Sequence, residues 1–278
     1  MSLRIVKAKV WKYTPPELLA VDEPVAPEEL LAVSIDGDIC QFLLYLPGQE
    51  KDLALGFLFS SGFIGGMEDI RTIEFYPPDP EADKCALVEV RLTELARARG
   101  SAPELPVSFL RESCGGWRWS TELLSRFPPP NRQLQIKAGD LTALMAILPQ
   151  KQEIFQRTGA THALAVADVQ GYIILSAEDV GRHNAFDKVI GQALLEGITL
   201  HDKIALLSGR VSYEMVFKAA RAGIPLLAAV SAPTHLAIRL AEALGLTLAG
   251  FVRGSRMNIY SHPERFTDLP AEFDKKKS

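Results

Sequence analysis

The sequence predicts an α/β protein with a β-rich N-terminal subdomain and a C-terminal domain in which helices cover a parallel or mixed sheet. Apolar and polar residues alternate along much of the first third of the chain, which is typical of half-buried strands. From Asp140 onward, short apolar runs alternate with stretches of helical spacing, as in α/β units. The proline-rich stretch Arg126–Asn131 separates the two patterns, so we expect domains at residues 1–130 and 131–278.

The N-terminal elements follow from alternation and turn signals. Asp36-Gly37 stands between two alternating runs and predicts a tight hairpin turn. One stretch has helical spacing, and Gly62 is placed to end it. Strands are predicted at residues 3–13, 30–35, 39–46, 71–76 and 86–92, and a helix at residues 52–59.

The C-terminal elements follow from caps and periodicity. Asp140 is expected to cap a helix that Pro149 interrupts and Gly159 ends, and Gly197 is expected to end a later helix. A hairpin is predicted across Gln170-Gly171. Strands are predicted at residues 162–169, 172–176, 204–207, 226–230 and 246–252, and helices at 184–196, 212–222 and 233–244.

Composition narrows the function classes. With 278 residues, a net charge of −4 and a pI near 5.8, the chain lacks the bulk positive charge of nucleic-acid-binding proteins. No long apolar run and no secretory leader pattern occur, so we expect a cytoplasmic protein without a membrane partner. Neither a Cys-x-x-Cys pair nor a His-x-x-x-His helix is present, which predicts no directly bound metal.

Polar residues and arginines follow the predicted strands of the C-terminal half. In open α/β sheets, ligands bind beyond the carboxyl ends of strands, where helix N-termini favour anions. Guanidinium groups suit phosphate or pyrophosphate, so the sequence predicts an anion site at this edge. The residues expected there are Arg182, His183, Asn184, Ser208, Gly209, Arg210, Ser231, Arg253 and Arg256.

Other polar residues have simpler interpretations. Two interpretations stay open for four of them: Asp187 and Lys188 would form a solvated helix face, and Glu214 and Lys218 a surface ion pair at i, i+4 spacing, or the four would belong to the site. A structural role is favoured for each of three histidines near strand or helix ends. These are His162, His201 and His235.

Cys114 is the candidate for chemistry at sulfur. It lies in Ser113-Cys114-Gly115-Gly116, where glycines predict an accessible loop. Arg111 and Arg118 flank it and would favour its thiolate, which Glu112 partly offsets. Cys40 and Cys85 lie in apolar strand-like runs and are interpreted as structural.

Several long motifs resemble those of the FdhD/NarQ family of formate dehydrogenase accessory proteins, the sulfur carriers. The similarity extends from about Asp22 to Arg265, in the family's order. The motifs are Gly181-Arg182-His183-Asn184-Ala185-Phe186-Asp187-Lys188, Ser208-Gly209-Arg210-Val211-Ser212-Tyr213-Glu214, Ser231-Ala232-Pro233-Thr234 and Gly250-Phe251-Val252-Arg253-Gly254-Ser255-Arg256.

The resemblance implies a fold and a function. The C-terminal half would be a cytidine deaminase-like three-layer domain without zinc chemistry, in a protein that forms a homodimer. Cys114 would accept sulfur from a cysteine desulfurase as a persulfide and pass it to the molybdenum bis(molybdopterin guanine dinucleotide) cofactor. That transfer would precede cofactor insertion into the formate dehydrogenase catalytic subunit. The segment implied to bind the cofactor comprises Phe251, Val252, Arg253, Gly254, Ser255 and Arg256.

One departure from the family pattern leaves a second function open. Family members commonly carry Cys-x-x-Cys on the Cys114 loop, whereas Trp117 stands at the fourth position here. A persulfide needs only one cysteine, so a relay in which Arg210, Arg253 and Arg256 hold the cofactor is the hypothesis. The alternative is a chaperone that binds the cofactor without transferring sulfur. A nucleotide hydrolase has only fold analogy in its favour.

Overall fold

A computed structural model describes residues 5–100, 110–113, 116–119 and 124–270 of the chain. The described strands form one six-stranded sheet, one four-stranded sheet and two hairpins, so the α/β prediction is confirmed. No helix among the described residues combines the length and the apolar character needed to span a membrane.

The N-terminal region consists of a hairpin and a helix-covered sheet. The four-stranded sheet has the order β4-β3-β6-β5, with β3 and β6 parallel. The hairpin β1–β2 and a later hairpin β7–β8 are both antiparallel. The elements are β1 (Val6–Thr14), β2 (Glu17–Val25), β3 (Glu29–Ile35), β4 (Asp38–Tyr45), α1 (Glu50–Ser60), β5 (Ile70–Tyr76), β6 (Ala86–Leu92), α2 (Glu94–Arg99), β7 (Leu110–Ser113) and β8 (Gly116–Trp119).

The turn between β3 and β4 confirms the predicted hairpin. Asp36 has φ 53° and Gly37 has φ 95°, the positive values that a two-residue type I′ turn requires. The Asp36 carboxylate also accepts a hydrogen bond from Arg97 Nε at 2.8 Å, and this partner lowers the pKa of Asp36. Below the turn, Leu31 and Val33 of β3 pack with Leu53 of α1 in a fully buried core.

The C-terminal region contains the six-stranded sheet, in the order β10-β9-β11-β12-β13-β14. Strands β11, β12 and β13 are parallel, and the remaining neighbours are antiparallel. The elements are α3 (Ala138–Ile147), α4 (Glu153–Thr158), β9 (His162–Ala167), β10 (Ile173–Asp179), α5 (Arg182–Glu196), β11 (Ile204–Leu207), α6 (Tyr213–Arg221), β12 (Leu226–Ala229), α7 (His235–Leu244), β13 (Thr247–Arg253) and β14 (Arg256–Ser261).

Helices cover both faces of this sheet. Because side chains alternate along a strand, Ala205 and Leu207 of β11 join a core with α5, α6 and α7. Ile204 and Leu206 of the same strand face α3 on the other side. The sheet is therefore the middle of three layers.

Two predicted helix starts are wrong, and two strands are missing from the prediction. Helix α3 begins at Ala138, so Asp140 lies within its first turn; Ala138 N instead donates to Asp268 Oδ1 at 2.8 Å. Helix α5 begins at Arg182 because Gly181 is its N-cap residue. Strands β2 and β14 were absent from the expected elements, although each completes a hairpin. The domain boundary at 130 stays a prediction.

Helices α1 and α5 touch backbone to backbone through a reciprocal glycine contact. A Cβ built on Gly56 of α1 would lie 1.8 Å from the carbonyl oxygen of Asp187. A Cβ built on Gly191 of α5 would lie 1.8 Å from the carbonyl oxygen of Asp52. Only a residue without a side chain fits at either position, so this contact fixes how the four-stranded sheet is joined to the six-stranded sheet.

Replacing either glycine by alanine should loosen this junction. Gly56→Ala and Gly191→Ala are each expected to lower the free energy of unfolding by about 3 kcal/mol, because backbone atoms must move to admit the methyl group. Gly139→Ala is the control, since nothing lies within 4 Å of a Cβ there. It should stabilise helix α3 by roughly 0.5–1 kcal/mol. Urea denaturation measures the free energy of unfolding of all three variants. Equal effects in the three would contradict a close contact between the backbones of α1 and α5.

Candidate functional site

The carboxyl ends of the parallel strands form one continuous edge, which we call the strand-end edge. It comprises His162, Arg182, Ser208, Gly209, Arg210, Ser231, Phe251 and Arg253. Leu207 pairs with Ala229 in β12 and with Leu164 in the antiparallel β9, so the start of β9 lies beside the end of β11. Six of these eight residues are ones that the sequence argument placed there, and Phe251 came from the family resemblance.

His162 lies at the centre of one half of this edge. Its ring packs over the turn after β11, with Nδ1 3.3 Å from the position of a Cβ on Gly209. Burial lowers the pKa of His162, and the charges of Arg182 and Arg210 lower it further. Two guanidinium groups thus act on one half-buried imidazole that is neutral at pH 7.

Arg182 carries an unsatisfied donor into this half of the edge. Its Nε is buried and has no hydrogen-bond partner among the described residues. It occupies the first position of α5, a 15-residue helix whose N-terminal N–H groups favour anions. A buried guanidinium nitrogen without an acceptor is costly unless a ligand supplies one.

The other half of the edge is formed by the ends of β12 and β13. Phe251 N donates to Ser231 O at 3.2 Å, and Arg253 Nε donates to Val230 O at 3.1 Å. Phe251 has φ 53°, a left-handed conformation that is strained for a bulky residue, and 43% of its surface is exposed. An exposed aromatic ring therefore stands at the edge, in the same strand as Arg253, whose guanidinium is bonded to Val230 O.

The rest of the glycine-bearing segment extends the edge as a hairpin turn. Gly254 and Ser255 are exposed between β13 and β14, and Arg256 pairs with Arg253 in register. Val252 is buried, so only its backbone is available to a ligand. Ser208 Oγ accepts from Ala163 N at 2.8 Å, which ties the β11 turn to β9.

The structure does not bring His183 and Asn184 to the strand-end edge. Asn184 Nδ2 donates to Leu44 O at 2.7 Å and to Asp179 Oδ1 at 3.0 Å. His183 lines a cavity between α1, β4, α5 and α6. Both side chains therefore lie at the junction with the four-stranded sheet, and their part in cofactor binding stays a prediction.

Asp187 and Lys188 are buried, which corrects their interpretation as a solvated face. Lys188 Nζ lies 2.8 Å from Asp179 Oδ2 and donates to Leu46 O at 2.8 Å, while Leu46 N donates to the same carboxylate at 3.1 Å. This buried group anchors the end of β4 to α5. Asp187 accepts from Ser60 Oγ of α1 at 2.8 Å.

The prediction of a surface ion pair between Glu214 and Lys218 is also wrong. Lys218 forms an ion pair with the buried Asp187, and Glu214 Oε2 lies 3.2 Å from His183 Nε2. Burial, followed by the charges of Lys218 and Arg182, lowers the pKa of His183 to about 4. His183 is therefore a neutral hydrogen-bonding group at pH 7.

These charged groups line a junction cavity of about 450 Å³. Its apolar wall includes Leu43, Phe57, Phe63 and Phe217, and Cys40 faces it from β4. The Cys40 thiol donates to Val33 O at 3.2 Å, and burial raises its pKa to about 11. A thiol that stays protonated is a poor nucleophile, which supports the structural interpretation of Cys40.

Cys114 lies outside the described residues. The backbones on either side of it are described, and Ser113 of β7 pairs with Gly116 of β8. Trp117 and Trp119 belong to β8.

Sequence reasoning missed His162 as a member of the site. Because β9 runs antiparallel to β11, its first residue meets the end of the neighbouring strand, whereas a parallel strand would place it at the opposite edge. The hairpin at residues 162–176 was predicted, and its orientation against β11 was the missing information. His162 precedes an apolar run directly, which was the only local signal.

Comparisons with known proteins agree along nearly the whole chain. Residues 26–267 match the sequence model of the FdhD/NarQ family. The chain is 42% identical over 259 residues to the sulfur carrier protein FdhD of Anaeromyxobacter dehalogenans strain 2CP-1, covering 88% of this chain and 89% of that one. It is 37% identical over 263 residues to the sulfur carrier protein FdhD of Mycobacterium tuberculosis H37Rv, covering 91% and 93%.

A solved structure shows the same fold. It is that of a putative formate dehydrogenase accessory protein from Desulfotalea psychrophila, with a TM-score of 0.75 and 26% identity. The match covers 94% of this chain and 99% of that one.

Breaking the buried pair should destabilise the junction strongly. Lys188→Met leaves the fully buried Asp179 carboxylate without its cation, so we expect a loss of about 3–5 kcal/mol in the free energy of unfolding. Arg97→Met removes the half-exposed partner of Asp36 and should cost less than about 1 kcal/mol. Chemical denaturation compares the two, and similar losses would show that the buried pair is not the anchor.

Proposed function

This chain belongs to the FdhD/NarQ family, and we propose that it is a sulfur carrier that serves the maturation of a formate dehydrogenase. The observation that carries the proposal is the strand-end edge, where the charges of Arg182 and Arg210 act on His162 and the buried Nε of Arg182 has no acceptor within the described part of the chain. Such an edge suits a phosphorylated cargo. The relatives named sulfur carrier protein FdhD support sulfur as what is carried.

The cargo site would take the molybdenum bis(molybdopterin guanine dinucleotide) cofactor as the substrate of sulfur transfer. Arg182, Arg210 and Arg253 would hold a pyrophosphate through charge-assisted hydrogen bonds. The exposed ring of Phe251 would stack on a guanine or pterin plane, a use that accounts for its strained backbone. The N-terminal N–H groups of α5 would add to the anion's binding.

Cys114 would carry the sulfur. In the first step its thiolate attacks the outer sulfur of a cysteine desulfurase persulfide; the donor S–S bond breaks, an S–S bond to Cys114 forms, and the donor cysteine leaves as a thiolate. This exchange conserves electrons and needs no added oxidant. The outer sulfur would then pass to the cofactor before insertion into the formate dehydrogenase catalytic subunit. In that step the S–S bond to Cys114 would break and Cys114 would leave as a thiolate, with the reduced metal of the cofactor substrate giving the two electrons that convert the sulfur to sulfide.

A homodimer is part of the proposal, and the β1–β2 hairpin supports it. Trp11, Tyr13, Leu18 and Leu19 are 57–72% exposed on this hairpin. An isolated two-stranded hairpin is only marginally stable, and a large exposed apolar patch is typical of a protein interface. In the proposed dimer, a second copy of the chain would cover these four side chains. Trp11→Ser with Leu19→Ser should shift the mass measured by light scattering from dimer to monomer. A monomeric wild type, or an unaltered dimer in the variant, would exclude this contact.

The relay predicts a persulfide on one cysteine only. After incubation with a cysteine desulfurase and cysteine, mass spectrometry should find an adduct of about 32 Da on wild-type chain and none on Cys114→Ala. Cys40→Ala and Cys85→Ala should keep the adduct, since both cysteines are half-buried and the Cys40 thiol is hydrogen-bonded to Val33 O. Formate dehydrogenase activation in a cell lacking this protein should fail only with Cys114→Ala.

The rival cofactor chaperone predicts the opposite pattern. The Cys114→Ala variant of a chaperone would activate formate dehydrogenase fully. The wild-type chain would gain no adduct on Cys114. Either result would exclude the relay while leaving the strand-end edge as a cofactor site.

A further inference from the structure

We propose that His162 is a direct ligand of the anion at the strand-end edge and takes up a proton when a pyrophosphate group binds. The inference rests on the proposed function, because it deepens the same site. It assigns to His162 a role as the third recognition group beside Arg182 and Arg210. Binding of a dianionic nucleotide would then strengthen as the pH falls.

The position of His162 supports contact with such a ligand. Its ring lies over Gly209, at the turn where β11 ends and the chain heads into α6. The ring lies close against this turn, since a Cβ on Gly209 would stand 3.3 Å from Nδ1, a tight contact. A phosphate held by Arg182 and Arg210 would lie near this imidazole, because the charges of both arginines act on it.

The ring nitrogens of His162 are also available to a ligand. Within the part of the chain that the structure describes, neither ring nitrogen of His162 makes a hydrogen bond or an ion pair, whereas His183 and His262 each pair with a glutamate. A half-buried imidazole without a partner retains both nitrogens for a ligand. Neutral, it offers one donor; protonated, it offers two donors and a positive charge.

The charges around His162 set the direction of the proton coupling. Arg182 reaches it from α5 and Arg210 from the turn after β11. Asp179 of β10 is the residue that pairs with His162 across the two strands. Its carboxylate already forms an ion pair with Lys188 and accepts a hydrogen bond from Leu46 N. Without ligand, burial and the two guanidinium groups hold the pKa of His162 below its ordinary value.

A bound pyrophosphate reverses this field. Its two negative charges neutralise the arginines and favour the imidazolium, so the pKa of His162 rises on binding. The bound state therefore holds more protons than the free state between the two pKa values. By linkage, affinity increases as the pH falls into that window and decreases as the pH rises through the bound-state pKa.

Guanosine diphosphate mannose is a suitable probe. Its pyrophosphate is esterified at both ends, so the ligand itself does not titrate near pH 7. We expect wild-type affinity to increase about five- to tenfold from pH 8 to pH 6, which corresponds to a bound-state pKa raised by roughly one unit or more. Calorimetry at pH 7 in buffers of different ionisation enthalpy should show proton uptake by the wild type.

Variants assign the proton to its residue. His162→Asn and His162→Gln should bind with a flat pH profile and no proton uptake. His201→Asn is the matched control, because His201 lies before the opposite end of β11 and packs on Gly223. It should keep the wild-type profile. Thermal unfolding verifies that each variant is folded.

Three results would overturn the proposal. A wild-type enthalpy independent of the buffer would show that no proton is taken up. An unchanged pH profile in both His162 variants would place the proton on another group while leaving the anion site intact. Absence of any binding would remove the strand-end edge as a nucleotide site, yet the Cys114 adduct would still test sulfur carriage separately.

Discussion

The contact between helices α1 and α5 is the constraint on which the rest of the molecule depends. At Gly56 and Gly191 each helix lays its backbone against the other, and neither position has room for a methyl group. The approach brings Ser60 to Asp187 and the end of β4 to Lys188. The buried pair of Lys188 with Asp179 and the partly buried pair of Lys218 with Asp187 thereby lie between the four-stranded and six-stranded sheets. Their removal from water is offset by pairing and hydrogen bonds.

Residues of the motif at 181–188 contribute to two different parts of the molecule. From Asn184 onward, the polar side chains of the motif at residues 181–188 hold the two sheets together, whereas the charge of Arg182, at the start of the same helix, acts on His162 of the strand-end edge. The position of Arg182 at the strand-end edge therefore depends on a helix whose far side is clamped by buried charges. A ligand site formed by the ends of several strands needs such a rigid support, because its groups converge only if the helix start is fixed.

Local signals predicted most of the fold and part of the site. The type I′ turn at Asp36-Gly37 and the glycine end of α5 were predictable because φ requirements are local. The arginines were predictable as strand-end residues because parallel strands end at one edge. Burial of Asp187 and Lys188 was not, since a charged residue on a helix is usually solvated. The contacts that bury them come largely from distant parts of the chain: Lys218 and Ser60 for Asp187, and Leu46 for Lys188. The orientation of β9, which brings in His162, is likewise a matter of non-local pairing.

Hydrogen–deuterium exchange of the full chain with and without guanosine diphosphate tests the central claim most directly. The account predicts slower exchange in peptides covering residues 207–213 and 250–256, where backbone N–H groups surround the proposed phosphate and base positions. Exchange in α1 around Gly56 should stay the same. Unchanged exchange at the strand-end edge, or protection confined to the junction cavity, would contradict a phosphate-binding edge.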